Sequence, residues 1–295
     1  MTPPHPEGQY GRSVRRVLLV TLGLNVLVVA GKLCAGLLAG SLSVISDALH
    51  SSADSLNNVV GLAIIRIASA APDEEHPYGH HKFETLGAFG IAGFLTVTAF
   101  EVASGAVRRL LGWTSGDVEI TRLTFGVMAA TVAINVFVWR YERRRARQLN
   151  SAFLKADSQH TLSDIWVSSS ILAGLFGVRK GILYLDSLLA LGVAAVIAHA
   201  AFQIFRTTIP VLVDSAPLSS EHIAKVVRET RGVESVHEIR SHGVPGRIFI
   251  SMHLVVVPTN TVEAHAVTED VEQRLEEQFG PCTVTIHVEP DEDAR

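Results

Sequence analysis

Ser46-Asp-Ala-Leu-His50-Ser-Ser-Ala-Asp54-Ser55 lies inside a run from Leu42 to Ala68 that is otherwise apolar enough to cross a membrane. His50 and Asp54 are four residues apart, so on a helix they share one face, a turn from each other. Far downstream, Ser158-Gln-His160-Thr-Leu-Ser-Asp164 repeats the His-x-x-x-Asp unit within a second apolar run. A carboxylate in mid-membrane costs on the order of 3 kcal/mol even on insertion scales, which argues against a passive role for either aspartate. Two imidazoles and two carboxylates brought together form the four-ligand nitrogen and oxygen set that zinc accepts. The flanks are small or hydroxylated: Ser46, Ser51, Ser52 and Ser55 around the first pair, Thr161, Ser163, Ser168, Ser169 and Ser170 around the second. Small residues let two helices approach as closely as shared ligands require.

The rest of the chain has a membrane composition with a polar remainder. Of 295 residues 48% are hydrophobic and only 18% are charged, against about a quarter charged in soluble domains. Six apolar stretches fall at about 17–40, 42–68, 84–108, 119–141, 159–178 and 182–206. Each approaches or exceeds the ~20 residues that cross ~30 Å of hydrocarbon. Arg12, Arg15 and Arg16 precede the first run, which is longer than the ~7–15 apolar residues of a signal peptide. An even number of spans puts both termini on one side. The basic residues, Arg143-Arg144-Arg145 above all, concentrate on that side and make it cytoplasmic. Beside a helix end this cluster is read as a contact for membrane lipid headgroups, with no nucleic-acid partner.

After Arg206 the pattern changes. Leu218–Thr230 and Val262–Phe279 have helical periodicity, whereas Ser235–Ser241, Arg247–Val257 and Thr283–Glu289 alternate as half-buried strands. Gly243–Gly246 supplies the hairpin turn. The expected fold is therefore an α-helical membrane protein. Six transmembrane helices are followed by a small cytosolic α+β domain of order α-β-β-α-β. Residues 1–15 form a disordered tail, 16–208 the membrane domain and 209–295 the cytosolic regulatory and dimerisation domain.

Cys34 and Cys282 fall in different domains, which excludes a disulfide framework and a shared thiolate site. No His-Glu-x-x-His occurs, and four protein ligands would fill zinc's tetrahedral shell, so the set suits carriage and not an enzyme. Charge favours exchange with protons. Zn²⁺ beside two carboxylates and two neutral imidazoles sums to zero, and so do two carboxylates with two imidazolium ions. Swapping one ion for about two protons leaves the buried charge unchanged, with His50 and His160 as the proton carriers.

The string SDALHSSADSLNN, the loop DEEHPYGHHKFE, and SQHTLSD ahead of a final α/β module resemble the cation diffusion facilitator family. The likeness runs from Arg16 to Glu289. It implies a homodimeric metal/proton antiporter of the inner membrane, with a metallochaperone-like carboxy-terminal domain. The transport site then falls on His50, Asp54, His160 and Asp164. Histidine at position 50 matches the zinc-selective members; manganese or iron cargo is the alternative within the family, and a membrane-anchored zinc sensor the alternative outside it. The resemblance further implies a second site at Asp73, His76 and His80. It also implies a pair between Lys82 and Asp214 where membrane and cytosolic parts join. In the cytosolic domain His237, His253, His265, His287 and Glu289 match positions that hold zinc between paired domains. Close relatives carry Asp where Glu289 stands.

Overall fold

The computed structural model describes residues 7–39, 42–112, 122–179, 185–244, 246–257 and 260–290. The chain divides into two compact units, Pro6–Thr208 and, at its carboxy-terminal side, Ile209–Arg295. The first unit is built from six long helices: α1 (Glu7–Ala39), α2 (Leu42–Ala68), α3 (Lys82–Leu110), α4 (Arg122–Leu149), α5 (Ala152–Arg179) and α6 (Leu185–Leu212). Among the described residues, segments Gln9–Ala35, Lys82–Leu110 and Ser187–Leu212 are long and apolar enough to cross a membrane. Polar side chains, the His/Asp units among them, interrupt α2 and α5, and the basic run from Arg140 to Arg147 ends α4.

Helix α1 starts at Glu7, earlier than the boundary read from the basic residues at 12–16. Residues 7–15 belong to this helix, so the expected disordered tail is corrected there; residues 1–6 lie outside the described residues. The cause is tertiary. Tyr10 Oη donates to Glu84 of α3 at 2.8 Å, and Val14 is wholly buried. Packing of this kind holds a polar first turn in helical form where propensity alone would let it fray.

Asn150, at φ 52°, turns α4 into α5. Ser151 then caps α5 by accepting from the Leu154 amide at 3.2 Å, and Glu84 accepts from the Phe153 amide at 3.3 Å. Phe153 is 1% exposed and fills the core between α2 and α3, where Gly61 and Gly87 leave room. A Cβ at Gly61 would sit 2.6 Å from the Phe153 ring. The Phe153 ring thus links α5 to both α2 and α3 at this end of the bundle.

The second unit contains α7 (Ser220–Arg228), β1 (Val233–Val244), β2 (Arg247–Val256), α8 (Thr261–Phe279) and β3 (Cys282–Pro290). This is the anticipated α-β-β-α-β order. Strands β1 and β2 are antiparallel, β2 and β3 parallel, and α8 makes the crossover. Ile223, Val227, Ile250, Met252, Leu254, Val271 and Leu275 form its core, with the helices packed on one face of the sheet. Val244 pairs with Arg247 across the hairpin, and Gly246, at φ 89°, sits in its turn.

Candidate metal sites

Helix α2 carries His50 and Asp54, and α5 carries His160 and Asp164. The side chains of His50 and Asp54 lie outside the described residues, so the geometry comes from α5 and the neighbours of both pairs. His160 is buried, its Nε2 lies 3.7 Å from Asp164 Oδ2, and the Phe94 ring meets it edge-on at 5.2 Å. One turn earlier on α5, Asp157 is 2% exposed and accepts from Asn57 Nδ2 at 3.1 Å and Asn58 Nδ2 at 3.4 Å. Both amides come from α2, directly after the Asp54 segment. Asn25 of α1 donates to Asn58 Oδ1 at 2.8 Å. On α4, Glu142 is 1% exposed and accepts from Thr161 Oγ1 at 2.9 Å.

Asn25, Asn57, Asn58, Asn135, Asp157, His160, Thr161 and Asp164 together line a cavity of about 10 Å³, room for one water-sized sphere. Four helices thus surround a polar centre inside an apolar bundle. Asp157 is a buried acceptor tying α5 to α2. Glu142 had no motif to announce it, since it stands at the edge of the basic run after Tyr141.

The loop before α3 gathers a second group. Asp73, His76 and His80 each offer one ligand atom, all within 4.8 Å of one another. The His76 backbone N–H donates to Asp73 Oδ1 at 2.7 Å, and His80 Nε2 lies 3.4 Å from Asp73 Oδ2. The amide bond first, then the two imidazoles, hold the Asp73 carboxyl below its ordinary range. His80 is buried, and its Nδ1 has no hydrogen-bond partner among the described residues. Burial pushes the neighbouring His81 imidazole down, toward its neutral form.

The cytosolic sheet gathers the third group. In register, His237 of β1 faces His253 of β2, which faces His287 of β3, so the three stand in one row across the sheet. Glu289, two residues on from His287, projects to the same face. His253 Nδ1 lies 2.8 Å from Glu289 Oε1 and His237 Nε2 lies 3.4 Å from Glu289 Oε2, with ligand atoms of this trio within 4.8 Å. His287 Nε2 is 4.0 Å from the same carboxylate. The hydrogen bond from His253 holds the Glu289 carboxyl below its ordinary range. His265 stands apart from this row on α8, beside Glu269 at 3.6 Å. A β-bulge after His237 places Glu238 at φ 50°. Its Oε2 lies 3.8 Å from His253 Nε2. Lys82 and Asp214 belong to the two different units.

Two family models match the chain: the cation efflux transmembrane domain over residues 18–213, and the cation efflux protein cytoplasmic domain over residues 217–291. An uncharacterized transporter of Methanocaldococcus jannaschii is 35% identical over 94% of this chain and 99% of its own length. Metal tolerance protein C1 of Arabidopsis thaliana is 31% identical over 96% of this chain and 63% of its own. The cation-efflux pump FieF of Shewanella oneidensis is 28% identical over 96% of each chain.

Proposed function

Since the chain belongs to the cation efflux family, homodimeric multi-pass membrane transporters of divalent metal cations, we propose that it exports zinc in exchange for protons. The ion rides on His50, Asp54, His160 and Asp164. The observation that carries this reading is the seam between α2 and α5. Asn57 meets Asp157, and one turn further along α2 Gly61 packs on Phe153, one turn back along α5. The helices are antiparallel there, in a fixed register. Continued in the other direction, that register brings position 54 opposite 160 and position 50 opposite 164. On this reading one nitrogen and one oxygen from each helix serve the same ion.

Borderline Zn²⁺ suits two imidazoles and two carboxylates better than manganese does. Loss of about two protons as the ion binds keeps the buried charge constant, and this neutrality is the basis for antiport. The basic residues place both termini in the cytoplasm, so an inward proton gradient drives zinc out across the inner membrane. Asp73, His76 and His80 form a weaker loop site, and His237, His253, His287 and Glu289 a regulatory zinc site, with His265 as a further contributor. A pair between Lys82 and Asp214 remains what the family resemblance implies.

Proteoliposome flux with simultaneous pH recording tests the transport reading. Zinc uptake with opposing proton flux, abolished by His160→Ala, supports it. Zinc flux without proton movement rejects the exchange.

A further inference from the structure

Lys32 stands where a membrane helix rarely carries a cation. It lies in α1, is 5% exposed, and its Nζ donates to Ser51 Oγ of α2 at 2.7 Å. A lysine that snorkels would send its amine to the membrane surface. This one is directed at a neighbouring helix inside the bundle.

Among the described residues, Asn25 pairs with Asn58 and Lys32 with Ser51 between α1 and α2. The interval is the same on both helices, 25 to 32 on one and 51 to 58 on the other, so these are successive rungs of one antiparallel seam. Positions 51, 54 and 58 follow the i, i+3, i+7 spacing of a single helix face. Position 54 therefore lies on this seam between the rungs, ~4.5 Å along the axis from position 51. Position 50 adjoins Ser51. The same α2 segment faces α5 through Asn57 and Gly61. The lysine is thus seated on the α1 side of the helix that supplies half of the proposed transport site.

We propose that Lys32 is a fixed positive charge beside that site, which weakens its hold on the divalent cargo and so permits release. The inference rests on the transport site proposed above. A four-ligand site of zero net charge with bound zinc is also the kind that retains zinc, whereas a carrier must let go. Inside the bundle, counter-ions of the solvent do not screen the lysine. Its repulsion of the ion is met again at every turnover.

The test is a zinc titration of the full-length protein in detergent, combined with zinc flux in proteoliposomes. The transport-site phase of the isotherm is the one that disappears in His160→Ala. Lys32→Met is expected to tighten that phase by about tenfold or more, the scale of a unit charge ~10 Å from a divalent ion in a poorly screening medium. Maximal flux falls in the same variant because release slows. Lys32→Gln, which keeps a donor for Ser51 without the charge, is expected to tighten binding likewise, and Lys32→Arg to remain near wild type. A lysine that merely packs α1 on α2 would give the opposite sign: unchanged or weaker affinity in Lys32→Met, with a lower Tm. That result overturns the proposal. If no phase is lost in His160→Ala, the transport-site reading fails and this inference falls with it. If the phase is present and Lys32→Gln leaves its affinity unchanged, the inference alone fails.

Discussion

At the scale of single residues, two carboxylates at the candidate sites are held by partners that sequence spacing does not reveal. Asp157 accepts from two asparagines of α2, and Glu289 accepts from His253. The Glu289 case has a pH signature. Its carboxyl is held below the ordinary range by the His253 hydrogen bond, so the folded value lies under the unfolded one. The resulting stabilisation is present above the usual carboxylate range and is lost as pH falls through the folded value. Thermal unfolding of the metal-free protein between neutral and acid pH should show that loss, and Glu289→Gln should flatten it. Glu289→Gln should also weaken zinc binding to the cytosolic domain, because an amide oxygen carries no charge to hold the ion. In the membrane unit, His160→Ala should remove zinc transport, whereas His50→Asp should retain transport and admit cadmium more readily. Metal-specific uptake into liposomes compares the two.

At the scale of elements, the seating of Phe153 of α5 against α2 and α3 depends on two glycines. A Cβ at Gly87 would lie 2.9 Å from both the Phe153 ring and the Ile64 side chain, so one of them must move. Gly87→Ala is expected to cost about 1–3 kcal/mol, the usual cost of overpacking a filled core. Phe153→Ala, which opens a cavity instead, is expected to cost about 3–5 kcal/mol. Both are read as loss of Tm in detergent. Gly61→Ala should in addition lower zinc affinity, because it presses on the α2–α5 seam proposed to set the two His/Asp pairs against each other. Unchanged affinity in a folded Gly61→Ala protein would count against that seam as the determinant of the site. The strands are simpler. Alternation along Arg247–Val256 buries Ile250, Met252, Leu254 and Val256 on one face and leaves His253 on the other, as a period of two demands.

At the scale of the whole molecule, membrane and cytosolic units follow each other in one chain. If Lys82 and Asp214 pair at that junction, Lys82→Ala and Asp214→Ala should each loosen the dimer, and the double variant should add little to either. The monomer–dimer distribution in detergent checks this; additive effects would show that the two side chains act separately. The sequence alone determined that the protein enters the membrane as long helices and ends in an α-β-β-α-β module. It also determined that His and Asp recur four residues apart in two spans. Hydropathy and period are properties of neighbouring residues, and no partner is needed to read them. Only the tertiary structure decided that residues 7–15 are helical, that Asp157 is held by Asn57 and Asn58, and that His237, His253 and His287 form one row. The same holds for the Lys32–Ser51 contact. Each of these depends on the register between elements distant in the chain, which is set by how whole faces pack.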